Sequence, residues 1–159
     1  MIIDRRTLPG VLFAALLTPL AAGAATPPAH AEFYPSSDPA LKALPFSEAV
    51  RAGDLLFVSG QIGSVPGKMA LVPGGITAEA GRAIENVRSV LQRHGATLRD
   101  VVKCTAFLAD MKDWPAFNGV YRQYFKAPFP ARSATGATGL ALGARVELEC
   151  IAYAPVAPR

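Results

Sequence analysis

Residues 77–108 read TAEAGRAIENVRSVLQRHGATLRDVVKCTAFL, a helix pattern followed directly by a strand pattern. From about Ala78 to His94 the apolar residues recur at steps of three and four, which predicts a helix with one buried stripe. Thr77 is predicted to be its N-cap, and Gly95 is predicted to end it. The apolar, β-branched run Val101–Leu108 predicts the strand that follows.

The same alternation of helix and strand patterns continues on both sides of this stretch. A second helix is predicted from about Trp114 to Phe125, capped by Asp113. The other predicted strands are Ala49–Arg51, Asp54–Ser59, Arg132–Thr138 and Arg145–Tyr153, and the first two form a hairpin. The order β-β-α-β-α-β-β indicates an α+β fold in which two helices cover one face of a mostly antiparallel or mixed sheet. Apolar residues on the second face predict a self-association surface.

The first 31 residues have the layout of a bacterial secretory signal. Arg5-Arg6 precede the short apolar run Val11 to Leu17, and a small, Pro/Ala-rich segment follows. Cleavage is predicted after Ala31, with Ala24 as a second candidate, by a general or a twin-arginine route. The apolar run is shorter than the roughly 20 residues that span a bilayer, so an uncleaved anchor is the less favoured alternative. We therefore expect a periplasmic or secreted protein with an extended lead-in at 32–44, one domain at 45–159 and no stable membrane anchor after cleavage.

Composition excludes several classes of function. The chain is 51% hydrophobic and 18% charged, which favours a packed core over disorder. Beyond the signal its charges are scattered without a Lys/Arg run, so no nucleic-acid partner is expected. His94 is the one histidine after residue 31, which excludes a histidine triad and a zinc set; we expect it to cap helix carbonyls. The segment 63–68 resembles a phosphate loop but is one residue short, and we interpret it as a turn. No metal and no cofactor are expected.

Arg132 and Glu147 are the remaining candidates for chemistry. Arg132 opens a strand after Phe129-Pro130-Ala131, where a guanidinium offers a rigid fork to a carboxylate ligand. Glu147 is expected on a neighbouring apolar strand, where a carboxylate is costly to bury without a partner or a purpose. The pair predicts a pocket for a small acid. A structural Arg–Glu ion pair at a sheet edge is an equal alternative.

Cys104 and Cys150 are the two cysteines of the chain. An exported protein could join them in a disulfide, whereas their apolar, β-branched surroundings favour small buried thiols. The residues themselves leave this choice open.

Six segments together resemble the Rid family, also called YjgF or L-PSP. They are Pro45–Ala49, Leu56–Ile62 with Ser59-Gly60-Gln61, Val101–Asp110, Asn118–Tyr121, Pro130–Ser133 and Val146–Glu149. They occur in the family's order and spacing from about Pro45 to Ala154. The resemblance implies a chorismate-mutase-like α+β sheet with two helices, assembled as a homotrimer with pockets between subunits. It also implies that the strands of the two cysteines lie toward opposite edges of the sheet, which would keep Cys104 and Cys150 unpaired.

The resemblance further implies an activity, the hydrolysis of reactive enamines and imines such as 2-aminoacrylate and 2-iminopropanoate to 2-oxo acids and ammonia. Arg132 matches the family's carboxylate-binding arginine, and Glu147 matches the carboxylate that positions or activates water. The pocket-lining positions match Asn118, Ser59, Gly60, Phe46 and Ala134. Phe46 stands where many deaminases have tyrosine and Ala134 where many have cysteine, which indicates a more apolar pocket.

Two other functions compete with this one. A trimer of the same fold could bind a small carboxylate outside the cytoplasm without turning it over, because the enzymes that release 2-aminoacrylate are mostly cytoplasmic. A ribonuclease, to which the L-PSP name refers, is disfavoured by the scattered charges and the missing aromatic platform.

Overall fold

The computed structural model describes residues 30–155, so the predicted signal lies almost entirely outside the described residues. The six strands and two helices are β1 (Glu32–Pro35), β2 (Ser47–Ala52), β3 (Leu55–Ile62), α1 (Gly75–Arg93), β4 (Val101–Leu108), α2 (Trp114–Tyr124), β5 (Ala131–Gly136) and β6 (Val146–Tyr153). Within residues 30–155, no helix is both long enough and apolar enough to span a membrane.

The strands form one mixed sheet in the order β1-β2-β3-β6-β4-β5. β4 and β5 are parallel, with α2 in the connection between them, and the other neighbours are antiparallel. The predicted α+β fold and mixed sheet are confirmed. β1 was not predicted: part of the expected extended lead-in, Glu32–Pro35, pairs with β2 as an edge strand.

The core lies on one face of the sheet, beneath both helices. Alternate side chains of the strands, such as Leu56, Ala106 and Leu148, are fully buried together with the predicted stripe of α1 and with Phe117 and Tyr121 of α2. The opposite face carries exposed apolar side chains, among them Phe57, Val102 and Tyr153. The sheet therefore presents an uncovered apolar face, as the strand patterns predict.

The predicted cap of α1 is wrong, and the predicted cap of α2 is confirmed in position only: Asp113 is the N-cap residue, but its side chain does not bind the helix. α1 begins two residues before Thr77, after Gly74 with φ of 116°, and no side chain caps it. The Asp113 side chain does not cap α2; it accepts a hydrogen bond from Arg145 Nε at 2.8 Å, because the loop before β6 brings this cation to it. The predicted end of α1 is confirmed, since Gly95 has φ of 77°. The 63–68 segment is a turn, as predicted, in which Lys68 N donates to Val65 O.

His94 does not cap carbonyls through its side chain, which corrects the prediction. Its Nε2 lies 2.9 Å from Glu48 Oε1, and its ring stacks on Tyr34 at 4.1 Å. Arg93 also binds the carboxylate of Glu48, which is 4% exposed. Burial acts to raise the pKa of Glu48, but the hydrogen bonds from Arg93, Ser37 N and His94 outweigh it and lower the pKa to about 2. This ionic cluster fastens β2 and the segment after β1 to the end of α1.

The two cysteines form a disulfide, so the expectation that they are unpaired is wrong. The expectation placed their strands toward opposite edges of the sheet. In the structure β4 and β6 are neighbours, and Cys104 and Cys150 lie directly opposite each other with a Cα–Cα distance of 4.1 Å. Both are buried on the helix-covered face. Cross-strand register, which determines this distance, is a tertiary property that the two local sequences do not contain.

Candidate active site

Arg132 is held by a set of side chains on α2. Strand β5 places it beside the helix, where its Nη2 donates to Asn118 Oδ1 at 2.6 Å. Its guanidinium carbon also lies 4.6 Å from the ring centroid of Tyr121, 5.3 Å from that of Phe117 and 5.5 Å from that of Trp114. A cation over aromatic faces is stabilised by the negative potential of the rings. The side chain is thereby fixed in orientation by contacts that place no negative charge beside it.

The remaining N–H donors of Arg132 are available to a ligand. Its guanidinium makes no ion pair within residues 30–155. It lines a cleft of about 290 Å³ together with Asn118, Tyr121, Phe129 and Pro130. A half-buried guanidinium with one neutral partner suits the bidentate binding of a carboxylate.

Glu147 lies on β6, and its carboxylate packs against the backbone of β3 at Gly60. A Cβ atom at Gly60 would overlap Glu147 Oε1 and lie 2.7 Å from its Cδ, so the absence of a side chain at Gly60 makes room for the carboxylate. In the described part of the chain, this carboxylate has no hydrogen-bond or ion-pair partner. Burial, and to a lesser extent the nearby charge of Glu149, raises the pKa of Glu147 above its ordinary value. An unpartnered carboxylate with a raised pKa is suited to accept a proton from water near neutral pH.

Arg132 and Glu147 lie on opposite faces of the sheet. Arg132 is in register with Cys104, and through it with Cys150, on the helix-covered face. Glu147 is three residues from Cys150 along β6, and side chains alternate between faces, so Glu147 points to the uncovered face. Strand β4 separates the two residues, and strand geometry puts their Cα atoms roughly 14 Å apart. The predicted alternative of an Arg132–Glu147 ion pair is therefore wrong, because their strands are not neighbours.

Three of the five other residues predicted to line the pocket lie at one of these two positions. Asn118 lies with Arg132, while Gly60 and Phe46 lie in a second cleft with Glu147. Ser59 Oγ instead donates to Ser47 O at 2.7 Å and ties β3 to β2. Ala134 packs against the core on β5. Within one chain, the structure does not bring the predicted site together.

The sequence did not identify two sets of residues around these positions. Trp114 and Tyr121 were predicted as residues of the second helix without a role at the site, although their spacing on α2 puts them on one face with Asn118. The cleft beside Glu147 is also lined by Leu41, Met69 and Leu142 from separate loops, for which no local pattern exists. Among the residues that the structure describes, no group of three or more His, Cys, Asp or Glu side chains could hold a metal ion.

The fold and the site define a small α+β protein with an oriented arginine that has free donors and a separate, unpartnered glutamate. Comparison with known proteins identifies its family. The family model for endoribonuclease L-PSP matches residues 37–154. The chain belongs to this family, which the sequence resemblance indicated under the name Rid.

Several relatives share most of their length with this chain. A 2-iminobutanoate/2-iminopropanoate deaminase from Capra hircus is 44% identical over 108 residues, which cover 68% of this chain and 79% of the relative. The protein of the same name from Homo sapiens is 42% identical over 108 residues, with the same coverage of both chains. The crystal structure of RidA from an Antarctic Psychrobacter species matches with a TM-score of 0.67 at 32% identity, covering 79% of this chain and 98% of that one.

Proposed function

We propose that this protein hydrolyses imines of 2-oxo acids, of the 2-iminopropanoate type, and their enamine tautomers. The observation that carries the proposal is the contrast between Arg132, a fixed cation with free donors, and Glu147, a partly buried carboxylate without a partner. The relatives named 2-iminobutanoate/2-iminopropanoate deaminase support it. One site binds the acid and the other activates water.

The reaction needs little equipment, because an imine carbon is already electrophilic. Arg132 binds the substrate carboxylate and orients the C=N bond. Glu147 takes a proton from water as the oxygen adds to the imine carbon, and it returns the proton to the nitrogen. Glu147 next takes the proton of the new hydroxyl group and passes it to the amine nitrogen, so that the C–N bond breaks as the C–O bond becomes the carbonyl, and ammonia leaves with a 2-oxo acid as the other product. The chain needs no cofactor for any of these steps.

The proposal requires a second copy of the chain. Arg132 and Glu147 face opposite sides of one sheet, so a substrate of a few atoms cannot touch both within one subunit. The uncovered apolar face, with Phe57, Val102 and Tyr153, is suited to association between copies. We therefore propose a homotrimer in which Arg132 of one subunit and Glu147 of its neighbour form each site. Sedimentation that gives a monomer at micromolar concentration would contradict this assembly.

Subunit mixing tests the shared site directly. Arg132→Lys keeps the charge but loses the fork, and Glu147→Gln keeps the shape but loses the base, so each variant alone should be nearly inactive. If a site takes one residue from each of two subunits, random co-assembly of equal amounts should restore about a quarter of the wild-type sites. The control is a mixture of the two variants that have not exchanged subunits, so that every trimer contains only one variant. No recovery in mixed trimers would contradict a site shared between subunits.

A non-catalytic carboxylate-binding trimer is the competing function. The predicted export favours it, and the buried disulfide supports an oxidising compartment such as the periplasm. Release of 2-oxo acid from enzymatically generated imines by the purified protein separates the two functions. A deaminase loses about two to four orders of magnitude of turnover in Glu147→Gln but keeps 2-oxo acid affinity. A binding protein shows no turnover, and only Arg132→Lys weakens its affinity.

A further inference from the structure

The cleft that contains Glu147 has mostly apolar walls, with Gln61, Ser64 and Lys68 as its other polar lining residues. It has a volume of about 220 Å³, several times the roughly 30 Å³ of one water molecule. The residues that line it with Glu147 and Gly60 include Leu41, Leu44, Phe46, Ile62, Met69 and Leu142. A substrate as small as 2-iminopropanoate has one methyl group to place there, which would leave most of the cleft unfilled.

The apolar walls come from separate parts of the chain and are exposed in the single subunit. Phe46 is 43% exposed, Met69 54% and Leu142 47%, although large apolar side chains are ordinarily buried. They belong to the segment before β2, the turn after β3 and the loop before β6. Their gathering around one carboxylate is not explained by the packing of the core, to which none of the three contributes.

The loop before β6 holds Leu142 in an uncommon backbone conformation. Its φ is 58°, in the left-handed region, and it is the one non-glycine residue with positive φ in the described part of the chain. A residue with a Cβ atom adopts this conformation at a cost in energy. Such strain concentrates at ligand-binding positions, where it directs a side chain toward the ligand. Here it accompanies a leucine that lines the cleft beside Glu147.

We infer that this cleft holds a large apolar side chain of the substrate, so that the preferred ligands are imino and oxo acids with branched or aromatic side chains. This inference rests on the proposed function for the identity of the reacting group. The imine carbon of the substrate carries the nitrogen, the carboxylate and the side chain. When this carbon lies next to Glu147 and the carboxylate binds Arg132 of the neighbouring subunit, the side chain points into the cleft. Phe46 adds to the apolar wall, because its ring has no hydroxyl group that would need water or a hydrogen-bond partner.

The test compares side-chain length in both turnover and binding. Imines are generated enzymatically from alanine, leucine and phenylalanine, and affinities for pyruvate and 4-methyl-2-oxopentanoate are measured by calorimetry. The wild-type protein should favour the leucine-derived imine over the alanine-derived one by about ten-fold or more in kcat/KM, with the oxo acids in the same order. Leu142→Ala should remove most of this preference, by lowering kcat/KM for the leucine-derived imine and the affinity for 4-methyl-2-oxopentanoate. Met111→Ala, which removes an exposed apolar side chain outside the cleft, is the matched control.

Failure of this inference and failure of the proposed function would give different results. Hydrolysis of all three imines with equal or opposite preference would overturn the inference and leave the proposed function intact. If no imine is hydrolysed, the proposed function fails, and the oxo-acid affinities alone decide whether the cleft selects large side chains. Unchanged preference in Leu142→Ala, together with weaker trimer association, would show that a neighbouring subunit covers the cleft and would overturn the inference.

Discussion

Reduction of the Cys104–Cys150 disulfide should destabilise the protein strongly without unfolding it under mild conditions. The two cysteines are separated by 46 residues, and closing a loop of this length removes conformational entropy from the unfolded chain. The loop-entropy relation gives about 4 kcal/mol per chain at 25 °C. The crosslink joins the adjacent strands β4 and β6, so the reduced protein keeps the ladder hydrogen bonds that hold them together.

Urea unfolding with and without reductant measures this contribution. The reduced protein should unfold at lower urea, with its free energy of unfolding smaller by about 4 kcal/mol per chain. The double variant Cys104→Ala/Cys150→Ala is the control, because its unfolding should not respond to reductant. Thiol labelling that finds two free thiols per chain in protein from an oxidising compartment, or identical unfolding with and without reductant, would refute the reasoning.

Three further outcomes follow from the site and the termini. The kcat/KM for imine hydrolysis should fall as the pH drops through the raised pKa of Glu147, so its midpoint should lie above the ordinary pKa of a glutamate. Glu149→Gln should move that midpoint to lower pH, and an unmoved midpoint would contradict this electrostatic coupling. Glu48→Gln should lower the free energy of unfolding by about 3 kcal/mol at pH 7. The Glu48 contribution is complete above the unfolded-state pKa of about 4.3 and is lost as the pH falls toward 2, so pH-independent destabilisation in urea titrations would contradict it. N-terminal sequencing of protein from the native host should begin near Glu32 or Ala25, and full-length protein would overturn the predicted export.

The elements that the sequence predicted well are those whose patterns are local. The apolar stripe of α1 and the strand β6 each follow from a short window of residues, and both lie where predicted. The strand Glu32–Pro35 has no such pattern. It forms a strand because it pairs with the edge of β2, whereas its composition alone predicted an extended lead-in.

The errors concern the partners of individual side chains. Asp113 could have capped α2, but Arg145 binds it from a loop 32 residues away. His94 likewise turns from its helix end to Glu48, 46 residues earlier in the chain. A local sequence shows which groups can form a hydrogen bond, while the tertiary fold decides which partner is present. The same reason explains why the sequence named Arg132 and Glu147 but did not show that they face opposite ways.

Gly60 bears on how easily the proposed imine hydrolase could change into the competing carboxylate-binding protein. Its backbone does not need the left-handed conformation, so an alanine there is tolerated locally, yet the added methyl group would occupy the position of the Glu147 carboxylate. The end of a glutamate side chain can swing aside at small cost. One methyl group would thus displace the Glu147 carboxylate and leave the sheet and Arg132 in place. If Glu147 activates water as proposed, the imine hydrolase and the competing carboxylate-binding protein differ by a single substitution.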